Sequence, residues 1–341
     1  MDWLVTVFGT VVAVVLFVDL IYHLAAIKVA VPIFEHQPPF AVESFPPDSR
    51  VERITFPTSH GLMLQGSLFR QESQPPRGLI IFCPELGANR WSASAYCEGL
   101  LDSGFDVFSF DFRNQGDSDP MPGYEPIHWL TEFEVDDVLA AIAYIQSRVG
   151  LKDVSLGVMG VSRGGAAALV TAARSPIVRC VASDGAFSAH GMLLHYAHRW
   201  GRLYFPEWFL RLLPEWHLSM TVSIVRWVSQ VRRGCLYANL ERVLPLLQNK
   251  PVLMVSGERD TYVIPEITRR LYHRTGHLTE SVWIVDGAKH NLARQVNPVE
   301  YNRRMVEFFS VMEDKQRTSR SLPSTNNDGA TAWVELSVKP K

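Results

Sequence analysis

Residues 154–174 read VSLGVMGVSRGGAAALVTAAR. The first part is a short β-rich apolar run. The second is a run of small residues with helical character. Between them stands Gly160-Val161-Ser162-Arg163-Gly164. The pattern G-x-S-x-G is cheap by itself, but a strand before it and a helix after it give it meaning. Glycines two before and two after the serine allow a turn so tight that side chains at Gly160 and Gly164 would strike neighbouring backbone. Ser162 is then lifted above the sheet, at a helix amino end whose dipole favours developing negative charge. A dinucleotide fingerprint does not fit, because Gly157 and Gly160 are three apart, and no Walker phosphate loop is present.

A serine hydroxyl is a weak nucleophile at neutral pH. It needs a base, and the base needs an orienting carboxylate. His290, in Asp286-Gly-Ala-Lys-His-Asn after an apolar run, is the best-placed base. Asp260, in Ser256-Gly-Glu-Arg-Asp after the preceding apolar run, is the first choice of carboxylate. Glu258 is the near alternative and Asp184 the outside one. His190, His195 and His198 have loosely ligand-like spacing, but they are read as ordinary side chains and not as a zinc site.

Outward from the serine, short apolar runs alternate with helical patterns. Strands are expected at 51–56, 62–69, 79–83, 107–110, 154–159, 178–183, 252–256 and 281–285. Helices are expected at 96–103, 132–148, 163–174, 266–275 and 299–311. The first two strands form a hairpin turning at Ser59-His60-Gly61. Such alternation implies an α/β fold with a mostly parallel sheet flanked by helices, and ligands at the carboxyl ends of its strands.

The chain order Ser162, Asp260, His290 resembles that of the α/β-hydrolase fold. Within that superfamily, residues 51–312 are similar to the serine aminopeptidase-like and monoglyceride-lipase-like branch. Asp111-Phe-Arg-Asn-Gln-Gly-Asp-Ser resembles the family's D-x-R-G-x-G-x-S loop, with Asn114 where glycine is usual. Residues 84–91 resemble the loop that supplies the first oxyanion-hole amide. The resemblance implies an α/β-hydrolase domain over 51–314 with a helical cap insertion at 187–240. It implies Ser162, Asp260 and His290 as catalytic residues, Gly160 and Gly164 as the elbow glycines, and the backbone N–H groups of Leu86 and Arg163 as oxyanion donors. It implies no metal and no organic cofactor. One departure stands out: Pro84-Glu85 occupies the place of the family's His-Gly. A charge on Glu85 would oppose a developing oxyanion unless it points away or pairs with Arg163.

The two ends differ from the body. Residues 3–18 carry no charge, and the apolar run continues past Asp19 and His23 to residue 27. As a helix, those 25 residues reach roughly 37 Å against a hydrocarbon core of about 30 Å. Residues 1–30 are therefore expected to be a single-pass transmembrane anchor. A buried core helix and a cleaved signal peptide are the alternatives. Asp19 inside the run requires an interface, a proton or a partner helix. Asp2 before the run and Lys28, Arg50 and Arg53 after it place the body on the cytoplasmic side by the positive-inside rule. Residues 31–50 read as a Pro-rich linker and 315–341 as a mostly disordered tail.

The whole chain of 341 residues has 33 basic and 35 acidic residues, a near-neutral balance with no nucleic-acid footprint. Four cysteines without a C-x-x-C pair exclude a disulfide scaffold and a cysteine zinc site. The cap region 187–240 holds ten aromatics and six arginines. Such a cap suits an apolar substrate pocket, contact with anionic lipid, or plain packing. The expectation is a membrane-anchored serine hydrolase acting on a lipophilic acyl ester through an acyl-enzyme, with that ester and the bilayer as partners. The alternatives are a non-catalytic binding module of the same fold, or a peptidase, thioesterase or acyltransferase using the same three residues. The sequence does not fix the oligomeric state.

Overall fold

A sheet covered on both faces needs strands that are apolar on both, and the central strands meet this. Eight strands form: β1 (Glu52–Pro57), β2 (Met63–Phe69), β3 (Leu79–Cys83), β4 (Asp106–Phe110), β5 (Leu156–Val161), β6 (Val178–Asp184), β7 (Val252–Gly257) and β8 (Val282–Val285). They make one sheet in the order β1-β2-β4-β3-β5-β6-β7-β8. β2 runs antiparallel to both of its neighbours, and all other pairings are parallel. The computed structural model describes residues 2–38, 42–49, 51–71, 75–148, 150–204, 214–279 and 281–313. The tail expected at 315–341 lies outside the described residues, as do Arg50 and, in the cap, Glu207, Trp208 and Arg211.

Among the described residues the long helices are α1 (Asp2–Glu35), α2 (Glu132–Ser147), α3 (Arg163–Arg174), α4 (Ala189–Tyr204), α5 (Glu215–Arg233), α6 (Pro265–His273) and α7 (Pro298–Phe309). The period of two along β3 divides the core. Leu79, Ile81 and Cys83 join the cluster under α2, α3 and α6, while Ile80 and Phe82 join the one under α7. β3, β4 and β5 are buried along their whole length, as a sheet covered on both faces requires. α2 starts on a capping box in which Thr131 and Glu134 satisfy each other's backbone amides. The helix expected at 96–103 is two short ones, Ala93–Tyr96 and Glu98–Asp102, meeting at Cys97.

The amino-terminal helix departs from the expected boundary at residue 30. α1 continues through Pro32 to Glu35. A proline there removes the bond to the Lys28 carbonyl and would ordinarily weaken a helix. Docking offsets it. Val31 and Phe34 are each 2% exposed and belong to the main core. Phe34 stacks on Trp129 at 4.8 Å, and the Trp129 indole donates to the Phe34 carbonyl at 2.7 Å. The first half of α1 is exposed and apolar, and its second half lies along α5 of the cap. α5 ends on Gly234, which adopts φ 60° as a left-handed cap.

Candidate active site

β5 hands directly to α3 through Ser162, which sits at φ 53° and ψ −119°. A non-glycine residue in that region is strained, and only a rigid frame holds it there. The frame is tight. A Cβ on Gly160 would lie 2.3 Å from the Gly164 carbonyl oxygen. One on Gly164 would lie 2.2 Å from the Cys83 oxygen and 2.4 Å from that of Pro84. The Ser162 amide donates to the Asp184 carbonyl at 2.7 Å, tying the turn to β6.

Two loops complete the arrangement. His290 follows β8, and its Nε2 lies 3.1 Å from the Ser162 hydroxyl. Its Nδ1 lies 2.6 Å from Oδ2 of Asp260, which follows β7. The other Asp260 oxygen accepts the amides of Tyr262 and Val263, each at 2.8 Å. The carboxylate is thus fixed on both sides and buried. Phe187 and Tyr262 wall the imidazole, with ring centroids 6.3 and 5.3 Å away. Ser162, Asp260 and His290 come from distant parts of the sequence into one hydrogen-bonded chain.

The alternative carboxylates lie elsewhere. Glu258 accepts the Gly287 amide at 2.9 Å and braces the loop before His290. Asp184 is buried at the end of β6, and that burial pushes its carboxyl up to about 6. Neither stands where Asp260 does on His290 Nδ1.

The Pro84-Glu85 departure has a definite geometry, and it is not the Arg163 pairing. Arg163 is buried, with Nη1 3.1 Å from the Ile127 carbonyl and 3.3 Å from Glu134, and its guanidinium lies over Phe112. Glu85 instead accepts from the side-chain amide of Asn291, the residue after His290. Burial pushes the Glu85 carboxyl up to about 7, against the pull of Asn291 and His290. Leu86 is buried in the same loop, and Gln115 Oε1 holds the next amide, that of Gly87, at 3.0 Å. Arg163 opens α3, so its backbone N–H is one of the amides a helix start leaves free for an oxyanion.

Asn114 takes over the role of the usual glycine at φ 62°, a conformation asparagine tolerates. Its side chain locks the turn through the Tyr124 carbonyl at 2.8 Å and the Met121 amide at 3.0 Å. Two supporting residues escaped the sequence reading. Glu134 was signalled by the T-x-x-E capping pattern from Thr131, but Asn291 carried no signal.

The comparisons agree with this architecture. Residues 78–215 match a family model described as alpha/beta hydrolase fold. An uncharacterized protein of Bacillus subtilis, YqkD, is 24% identical over 282 residues, covering 80% of this chain and 83% of its own. The thiohydrolase aneE of Aspergillus aculeatus is 28% identical over 135 residues, 38% of this chain and 40% of its own. Among solved structures, the Pyrococcus furiosus esterase Pf2001 superposes with a TM-score of 0.58 at 22% identity. That superposition covers 81% of this chain and 97% of the esterase.

Proposed function

Starting from a chain that has the α/β-hydrolase fold, we propose that it is a membrane-anchored serine hydrolase of lipophilic carboxylic esters. The single observation behind this is the Ser162–His290–Asp260 chain at the carboxyl ends of the strands. His290 Nε2 takes the Ser162 proton as Oγ bonds to the acyl carbon. Asp260 keeps the other imidazole proton on Nδ1 and stabilises the imidazolium. The tetrahedral oxyanion would lie against the Leu86 and Arg163 amides, each worth about 3 kcal/mol. His290 then returns the proton to the leaving alkoxide, and water repeats the sequence to free the acid.

The aromatic walls of Phe187 and Tyr262 favour an apolar acyl group. α1 has the length, and over 18 of its residues a mean hydropathy of 2.6, fit for a span or a signal sequence. Its docking through Val31 and Phe34 favours a helix that stays with the protein. Trp216, Met220, Trp227 and Val231 form an exposed stripe on α5, beside Arg226 and Arg232, suited to an anionic lipid surface. The positive residues after the span favour a cytoplasmic domain.

A fluorophosphonate probe should label Ser162 in the detergent-solubilised protein, and p-nitrophenyl esters should be hydrolysed. Ser162→Ala should abolish labelling and lower turnover about a thousandfold or more. Absence of both labelling and turnover in the wild type would overturn the proposal. It would favour a non-catalytic binding module, the reading for which Glu85 beside the oxyanion loop argues. The thiohydrolase relative makes thioesters the second substrate class to try.

A further inference from the structure

The contact between α1 and α5 gathers three metal-ligand side chains outside the serine site. Asp19 and His23 stand four apart on one face of α1, and His217 comes from α5. His217 Nε2 is 2.6 Å from Asp19 Oδ1, and His23 Nδ1 is 3.6 Å from Asp19 Oδ2. One donor atom from each residue lies within 4.8 Å of the other two. We propose that Asp19, His23 and His217 bind a divalent transition-metal ion of the zinc class, which fastens the amino-terminal helix to the cap.

Spacing supports this. Zinc bonds of about 2.0–2.1 Å in a tetrahedron put ligand atoms about 3.3 Å apart, and the two measured separations bracket that value. The donor set of two imidazoles and one carboxylate is one that zinc and its neighbours accept. The side chains of His23 and His217 are 8% and 12% exposed, while that of Asp19 is 38% exposed. The open side at Asp19 gives an ion its approach and leaves room for a water as the fourth ligand. The Tyr22 ring, 5.2 Å from both imidazoles, shields the site.

The hydrogen bonds around His23 show what an ion would replace. Nδ1 lies 2.9 Å from the Asp19 carbonyl oxygen, and Nε2 lies 3.5 Å from the Thr221 hydroxyl. That hydroxyl spends its proton on the His217 carbonyl at 3.0 Å. An ion taken on Nδ1 would replace the Asp19 carbonyl as its partner. With the metal there, Nε2–H donates to Thr221, the outer-sphere partner that metal-bound imidazoles keep. The ion would take the place of the proton between Asp19 and His217 Nε2, and the imidazole keeps its N–H on Nδ1.

The test uses the full chain in detergent micelles, stripped with a chelator and titrated with Zn2+ against a chromogenic competitor. One zinc per chain is expected, with affinity lowered at least a hundredfold by His217→Ala and by Asp19→Asn. Zn2+ should raise the Tm of the wild type and leave those variants unmoved. Co2+ should give visible d–d bands that His217→Ala removes. His190→Ala, which takes away a cap histidine outside the cluster, should bind zinc like the wild type. If His217→Ala fails to fold, Asp19→Asn carries the test, since it keeps the side-chain shape. No stoichiometric binding, or binding that survives both variants, would overturn the proposal.

Discussion

Glu85 stands where the chain departs from the His-Gly of the pattern it resembles, and its protonation has a measurable sign. Its ordinary carboxyl value is 4.5, and burial raises it to about 7 in the folded chain. Between those values the unfolded chain has lost this proton and the folded chain still holds it. Folding stability therefore falls as pH rises through that window, by up to about 3 kcal/mol from this group. Glu85→Gln should remove that fall. Urea unfolding of both proteins at pH 5 and pH 8 checks it, and an unchanged difference between the two pH values would refute it. Ser162, Asp260 and His290 could be read in the sequence because each follows an apolar strand run and their order is distinctive. The Glu85–Asn291 contact could not, because it depends on how two distant loops fold back and on φ 58° at Asn291.

At the scale of the element, the turn from β5 to α3 is a wedge with no slack. Gly164→Ala would push its methyl group into the carbonyls of Cys83 and Pro84. The end of β3 and the oxyanion loop must then move. A stability loss of about 3 kcal/mol and near-complete loss of ester turnover are expected, read by Tm and a p-nitrophenyl assay. Gly123→Ala is the control: it meets no neighbour, its φ is 77°, and it should cost about 1 kcal/mol. The strands were legible to within a residue or two, because burial on both faces forces continuous apolar runs. The end of α1 was not. A proline near a helix end reads as a stop, whereas the stacking of Phe34 on Trp129 decides where the chain leaves the helix.

For the whole molecule, α1 has two halves with different partners. Residues 3–18 touch little of the body, while Val31 and Phe34 complete its core. Removing residues 2–18 should leave Tm within a few degrees. Removing residues 2–35 uncovers core side chains and should lower Tm by about 10 °C. Differential scanning fluorimetry of the two truncations separates these outcomes, and equal Tm values would refute the division. The sheet and its flanking helices were readable from periodicity alone. The docking of the amino-terminal helix on the cap was not, since a uniformly apolar run does not show which side finds protein.

One contact carries that docking towards the chemistry. Tyr196 of α4 donates to the carbonyl of Tyr262 at 3.2 Å, and the amide of Tyr262 steadies Asp260. α4 packs on α5, and α5 lies along α1. A shift of α1 on the cap would travel through two helices to a tyrosine hydroxyl and reach the loop that holds Asp260.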